Sequence, residues 1–474
     1  LNALKLLDEV LKKITPTPNE TGEAFNLYSE VKSIIEETLS SLNIKYKVEL
    51  EGSLIKGTNL KGETDLDIFI LLDLKDLTNE WIKKYIIDTL YPVLSKKYHT
   101  EVRYASHPYI KIRKGTIEAD LVPAYWASEI KEIKTAVDRT PFHTKYVKSR
   151  LSNAMKNEVR ILKKFFKGIG VYGAEIKVEG FSGYLTELLI IKYGNFLNTL
   201  KAITKWRPPQ VVVIDDIDYE EKEAIRLFGR VPLIIPDPVD PRRNAAAAVS
   251  MKSFSTLIIA SHTFLESPSM SYFFPPKYSL KLDELRKQAN KSGTAYIGFI
   301  IGFDKDLSPD IVWGELKSAL KRGENKIKAM DFNLVYSDVW SNNVSKAVIL
   351  FEVYPKAHSP YALHRGPPAF IRHASKDFLM KYLTDESSMG PWIGSDGRLY
   401  VIKKRRFTSP SDVLRFFSGE IVGRKHLKLI KIFENLDNLL LEKELIRSSD
   451  FVQWLAVAVV KTPPWVIGSS LTSS

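Results

Sequence analysis

The run Asp65-Leu66-Asp67-Ile68-Phe69-Ile70-Leu71-Leu72 constrains this chain more than any other segment. Two carboxylates one residue apart lead straight into an unbroken apolar stretch, the composition of a strand that is buried on both faces. Side chains alternate along a strand, so Asp65, Asp67 and Phe69 share one face while Leu66, Ile68 and Ile70 share the other. Two carboxylates on one face repel each other unless a cation lies between them. Oxygen donors of this kind suit Mg²⁺, and a pair of such ions is the clamp of in-line phosphoryl displacement.

A third carboxylate has matching geometry. Pro108 to Arg113, the pair Lys114-Gly115, and Thr116 to Val122 make the pattern of a hairpin around a glycine turn. In its second strand Ile117, Ala119 and Leu121 share one face, and Glu118 and Asp120 the other. Laid beside the first strand, it brings Asp120 to the ion held by Asp65 and Asp67. Upstream, Gly52-Ser53-Leu54-Ile55-Lys56-Gly57-Thr58 is a turn into a short helix. Such a turn offers backbone N–H groups, the Ser53 hydroxyl and the Lys56 charge to a phosphate. A Gly-Ser helix start alone is usually a cap, and a lone Asp-x-Asp usually sits on a solvated strand face. Their order along one chain gives the combination its weight.

Gly-Ser followed by Asp-x-Asp and a distant third Asp resembles the pattern of the polymerase-β-like nucleotidyltransferases. Longer stretches resemble the archaeal (class I) CCA-adding enzymes: EGSLIKGTNLKGETDLDIF (51–69), IEADLVPAY (117–125), DRTPFHTKYV (138–147), VRILKKFFKGIGVYGAEIKVEGFSGYLTELL (159–189), DPVDPRRNAAAAVS (237–250) and HRGPP (364–368). They occur in the expected order over most of the chain. The bacterial and eukaryotic class carries a Gly-Gly-x-x-x-Arg-Asp helix, and this chain has no Gly-Gly pair.

The resemblance implies an α+β multidomain protein. A polymerase-β-like nucleotidyltransferase catalytic (head) domain would span 1–138 and a mainly helical nucleotide-binding neck 139–257. An α+β tRNA-binding body and tail with a ferredoxin-like sheet would span 258–465, and 466–474 would be disordered. The implied reaction is addition of CCA to the 3′ end of tRNA from CTP and ATP, with no nucleic-acid template. Two Mg²⁺ ions would bridge Asp65, Asp67 and the triphosphate, with Asp120 holding the ion that activates the terminal hydroxyl. Ser53, Lys56, His143, Lys163 and Tyr172 would hold the triphosphate and sugar. Arg243, in preference to Arg242, would read the base. Many members carry Arg where this chain has Lys56, which keeps the charge and loses the bidentate fork. A poly(A) polymerase, a 2′-5′-oligoadenylate synthetase-like enzyme and a catalytically silent RNA-binding protein share the scaffold and remain open alternatives.

Composition narrows the partners. The formal net charge of +13 over 474 residues favours a polyanion, here tRNA gripped along its acceptor stem and T-arm. A second copy of the chain in a homodimer is a further expected partner. The absence of cysteine excludes disulfides, zinc–thiolate sites and thiol nucleophiles. No run approaches the ~18 apolar residues of a membrane span and no signal-peptide pattern opens the chain, so a cytoplasmic protein is expected.

Further elements follow from local pattern. Thr140-Pro141 is a helix start with Thr140 as the N-cap. Asn157 to Lys167 is a helix with Val159, Leu162 and Phe166 on its core face, the basic residues Lys156, Arg160, Lys163, Lys164 and Lys167 crowding the remainder. Asp237 to Asn244 is a rigid turn whose Asn caps an alanine-rich helix. Ala295 to Phe303, Asp310 to Lys328, Phe332 to Trp340 and Ala347 to Tyr354 give the β-α-β-β order of a ferredoxin-like sheet, with Tyr296, Phe299 and Phe303 in its core. Arg398 to Phe407 is a basic strand flanked by Pro391, Gly394 and Gly397 as turn residues. Its Lys403, Lys404, Arg405 and Arg406 alternate faces and would meet tRNA phosphates.

Overall fold

The computed structural model describes residues 2–73, 78–104, 107–214, 219–279, 281–423 and 425–467. The chain forms two compact units, one of Leu1–Pro276 with Pro463–Ser474, the other of Lys277–Thr462.

The first unit opens with two helices, α1 (Asn2–Ile14) and α2 (Pro18–Leu39), the latter started by a capping box between Thr17 and Glu20. A five-stranded sheet follows: β1 (Tyr46–Glu51), β2 (Asp65–Leu72), β3 (His99–Tyr104), β4 (Pro108–Lys114) and β5 (Ile117–Tyr125), in the order β1-β2-β5-β4-β3. Leu66, Ile68 and Ile70 pack with Ile110, Ile112 and Leu121 against Val31 and Ile35 of α2. Phe69 and Leu71 pack on the opposite face with Ala124. The alternation read from the sequence therefore holds along β2. The hairpin also forms, with Gly115 at φ +62 in the turn between β4 and β5. Its second strand lies parallel to β2, and the register sets Asp65 opposite Glu118 and Asp67 opposite Asp120.

Four longer helices then surround a separate core: α4 (Thr140–Arg150), α5 (Asn153–Gly168), α6 (Gly183–Tyr193) and α7 (Met251–Glu266), with α3 (Gly52–Lys56) lying earlier between β1 and β2. Phe165 of α5 meets Phe196, Phe264 and Tyr272 in that core. Three local expectations are corrected. Thr140 is the first helical residue rather than the cap, because a 3₁₀ turn at Val137–Arg139 runs into α4 in helical conformation. Asn244 caps no helix. Its side chain clamps loop backbone, accepting from Ile235 and Ala246 N–H and donating to the Leu233 carbonyl, while Ser250 caps α7. The boundary expected at 257 falls inside α7, and the unit runs on to Pro276. Residues 466 and 467 belong to the short helix Pro464–Ile467, whereas the disorder expected for 468–474 lies outside the described residues.

The second unit is built on β6 (Ala295–Gly302), α9 (Pro309–Ala329), β7 (Asn333–Ser341), β8 (Lys346–Tyr354), α11 (Pro410–Val422) and β12 (Lys428–Phe433), preceded by α8 (Leu282–Lys291). The antiparallel sheet order is β12-β6-β8-β7, the ferredoxin-like arrangement. Tyr296, Phe299 and Phe303 are buried, as expected. Between β8 and α11 the chain inserts a three-stranded sheet of β9 (Tyr361–Pro368), β10 (Ser388–Ile393) and β11 (Arg398–Lys404), together with α10 (Arg372–Leu383). The basic strand thus ends at Lys404, and Pro391 lies within β10 rather than in a turn. Among the described residues no helix is long and apolar enough to cross a membrane.

Candidate active site

The register of two strand pairs builds the site. Glu51 pairs with Asp67 across β1 and β2, so the chain turns into α3 directly over the Asp67 carboxylate. Gly52 makes that turn at φ +76, and a Cβ there would stand 1.9 Å from Asp67 Oδ2. Only glycine tolerates both the backbone conformation and the approach. Ser53 follows it into a cavity of roughly 260 Å³ that is also lined by Asp65, Asp67, Asp120, Lys163 and Tyr172. Six of the residues expected at the site therefore meet in one pocket.

The same pocket takes in Lys111 and Glu118. Lys111 lies opposite Asp120 in the β4–β5 register. Its ammonium donates to Glu118 at 2.8 Å and stands 3.4 Å from Asp120 Oδ1, an oxygen that is buried and receives no hydrogen bond. Arg113 holds the other oxygen of Glu118. Burial, then the charges of Asp120 and Asp65, push the Asp67 carboxyl up to about 6. Burial likewise raises Asp65 and Asp120, with Lys111 opposing it in both. Burial raises all three carboxyls, so each is costly to charge here, and a bound cation would favour their charged forms. Asp120 Oδ1, which is ion-paired with Lys111 but accepts no hydrogen bond, and the all-oxygen donor set fit a hard divalent ion. In this conformation no three His, Asp or Glu side chains among the described residues stand close enough to hold one.

Lys56 does not reach the pocket. It is buried and bonds Glu187 of α6 at 2.6 Å, and Thr58 donates to the other Glu187 oxygen at 2.7 Å. Lys163 completes the cluster, 3.7 Å from Glu187 and bonded to the Thr58 carbonyl at 3.1 Å. Burial would raise Glu187, yet Lys56 and Lys163 hold it below the usual carboxylate range. Burial lowers Lys163 to about 8 against the pull of Glu187. The basic side of α5 is thus docked rather than solvated: Arg160 bonds the Asn59 carbonyl at 3.0 Å and Lys167 pairs with Glu63. Tyr172 is half-buried, with the Lys167 ammonium over its ring at 4.9 Å from the ring centre.

His143 and Arg243 meet elsewhere, on Asp237. His143 Nε2 lies 3.0 Å from Asp237 Oδ2, which also accepts from Arg243 at 2.8 Å, and Tyr184 donates to Oδ1 at 2.8 Å. The His143 ring stacks on Tyr184 with centres 3.9 Å apart. Burial opposes the charge on Asp237, but the bonds from His143, Val239 and Tyr184 bring its carboxyl down to about 2. Neither His143 nor Arg243 lines the carboxylate pocket. Of the four cations at 403–406, Arg405 bonds Asp331 at 2.8 Å and Arg406 covers the Phe416 ring at 4.2 Å.

The family model described as "Nucleotidyltransferase domain" matches residues 32–148, "tRNA nucleotidyltransferase, second domain" matches 157–274, and "CCA-adding enzyme, C-terminal domain" matches 293–429. The CCA-adding enzyme of Saccharolobus shibatae is 37% identical over 97% of this chain and 99% of its own length. That of Pyrobaculum islandicum is 38% identical over 88% and 94%, and that of Sulfurisphaera tokodaii 36% over 97% and 99%. A solved cytoplasmic RNA terminal U-transferase is similar at 15% identity with a TM-score of 0.44, over 56% of this chain and 94% of that one, too loose a likeness for any inference.

Proposed function

Because the chain belongs to the CCA-adding enzymes, whose reaction is template-independent addition of CCA to tRNA from CTP and ATP, we propose that Asp65, Asp67 and Asp120 run that reaction with two Mg²⁺ ions. The observation that carries this reading is the parallel β2–β5 register, which sets Asp67 beside Asp120 in a pocket with Ser53, Lys163 and Tyr172. When bound, the ions supply charge neutralisation to the triphosphate and a lowered pKa to the attacking hydroxyl.

The chain's own groups divide the remaining work. Asp120 accepts the proton of the tRNA 3′-hydroxyl or holds its ion. Ser53, Lys163 and Tyr172 hold the triphosphate and sugar. Lys56 acts at one remove: it neutralises Glu187, the carboxylate that also anchors Lys163. Arg243 is held by Asp237 on a segment stiffened by prolines, which suits a guanidinium that reads the acceptor edge of cytosine or adenine. Lys403 and Lys404 grip tRNA phosphates along the acceptor stem and T-arm.

Asp67→Ala tests the metal reading. With tRNA lacking CCA, CTP, ATP and Mg²⁺, incorporation should fall by several orders of magnitude, since the two-metal clamp supplies most of the charge stabilisation. Binding of tRNA should stay close to wild type. A variant that keeps a tenth of the wild-type rate would overturn the assignment.

A further inference from the structure

A second cavity, of roughly 720 Å³, opens in the first unit and shares no lining residue with the carboxylate pocket. Its volume lies within the ~300–1,000 Å³ of typical small-molecule sites. The walls come from α2, β1, the segment after β5, and the side of α4 that carries Thr144, Lys145 and Lys148. Aromatic residues from three segments line it: Phe25 and Tyr28 on α2, Trp126 beyond β5, and Phe142 on α4. Phe25 is 37% exposed.

The charges in this cavity are not balanced. Of its carboxylates, Glu49 pairs with Lys47 and Asp138 accepts the backbone N–H groups of Tyr125, Lys134 and Thr135. Burial pushes Glu51 up to about 7 against a hydrogen bond from Thr144, and its Oε2 is without a hydrogen-bond partner. Lys145 and Lys148, one turn apart on α4, remain exposed at its edge. Aromatic faces backed by cations are the combination that stacks a base and neutralises its phosphate.

We propose that this cavity binds a nucleotide, with its base against Phe25 and Phe142 and its phosphate on Lys145 and Lys148, in addition to the nucleotide taken by the carboxylate pocket. The occupant is either a free nucleotide or one residue of single-stranded RNA. Its seat on α4 puts it on the helix that also carries His143, so occupancy braces the element that contacts Asp237.

Equilibrium dialysis of the full chain against ATP with Mg²⁺, without tRNA, counts the sites. A free-nucleotide site gives two ATP per chain, falling to one in Lys145→Glu/Lys148→Glu. A site for RNA gives one ATP per chain, but a single-stranded RNA pentanucleotide then binds the double variant at least tenfold more weakly than wild type. Phe25→Ala should weaken whichever binding is seen by roughly tenfold, the usual scale of one lost stacking partner. These three side chains are at least partly exposed, so the variants keep the fold, which a thermal melt checks. One ATP per chain with pentanucleotide binding unchanged in both variants would overturn the proposal.

Discussion

At the scale of single residues, the buried Lys56–Glu187 pair decides between two roles for Lys56. As a phosphate ligand it would be dispensable for folding. As the partner of a fully buried carboxylate it is not, because removing one member of such a pair costs about 3–5 kcal/mol. Lys56→Met should therefore lower the free energy of unfolding by several kcal/mol in a urea titration. A normal melt combined with a raised KM for CTP and ATP would return Lys56 to the phosphates. Asp237 gives a pH prediction of defined sign. Its folded-state value of about 2 lies below the ordinary carboxylate value. The stability it contributes is complete above about pH 4 and is lost as pH falls through 4 toward 2. Between pH 6 and pH 3 the wild type should lose about 1 kcal/mol more than Asp237→Asn. Equal losses in both proteins would mean that Asp237 is not the charged partner of His143 and Arg243.

At the scale of elements, strand alternation made β2 and the β4–β5 hairpin legible, and with them Asp65, Asp67 and Asp120. The same alternation held the signal for Lys111, which shares a face with Tyr109 and Arg113 across from Glu118 and Asp120, although a lysine on a strand draws no notice. Glu187 also left a trace, as the lone charge in the apolar run of α6, and such a charge is seldom buried without a partner. Its identification with Lys56 and Lys163 needed the fold, because those pairings join residues more than a hundred positions apart for Lys56 and come from different elements in both cases. Helix starts were misread where the deciding feature was backbone: the 3₁₀ turn before α4 and the loop clamp of Asn244 have no compositional mark. In β11 and the residues after it, the structure separates four adjacent cations into two pairs. Arg405 and Arg406 are engaged with Asp331 and Phe416, so the proposed phosphate contacts narrow to Lys403 and Lys404. Lys403→Glu/Lys404→Glu should reduce the log–log salt slope of tRNA binding by about 1.4–1.8, at roughly 0.7–0.9 per contact. Reversing Arg405 and Arg406 as well should add little slope and cost stability. A doubled effect would show that those two side chains leave their partners for tRNA.

At the scale of the whole chain, the second unit is an insertion within the first. Trp465 packs in the helical core against Tyr272, and Ser271 donates to its carbonyl at 2.8 Å. Truncation after Thr462 would open a cavity in that core, far along the sequence from the carboxylates, and losing a buried tryptophan costs about 3–5 kcal/mol. Limited proteolysis should then cut first within 1–276, while fragments of 277–462 persist. Preferential loss of the second unit would contradict this division of the core. The insertion also sets an order of events during synthesis. Domains emerge and fold from the N-terminus onward, but here the carboxylate-bearing unit cannot complete its core until residue 465 has left the ribosome, after every segment of the second unit. A nascent chain interrupted between residues 121 and 464 carries all three aspartates beside a helical core that still lacks Trp465.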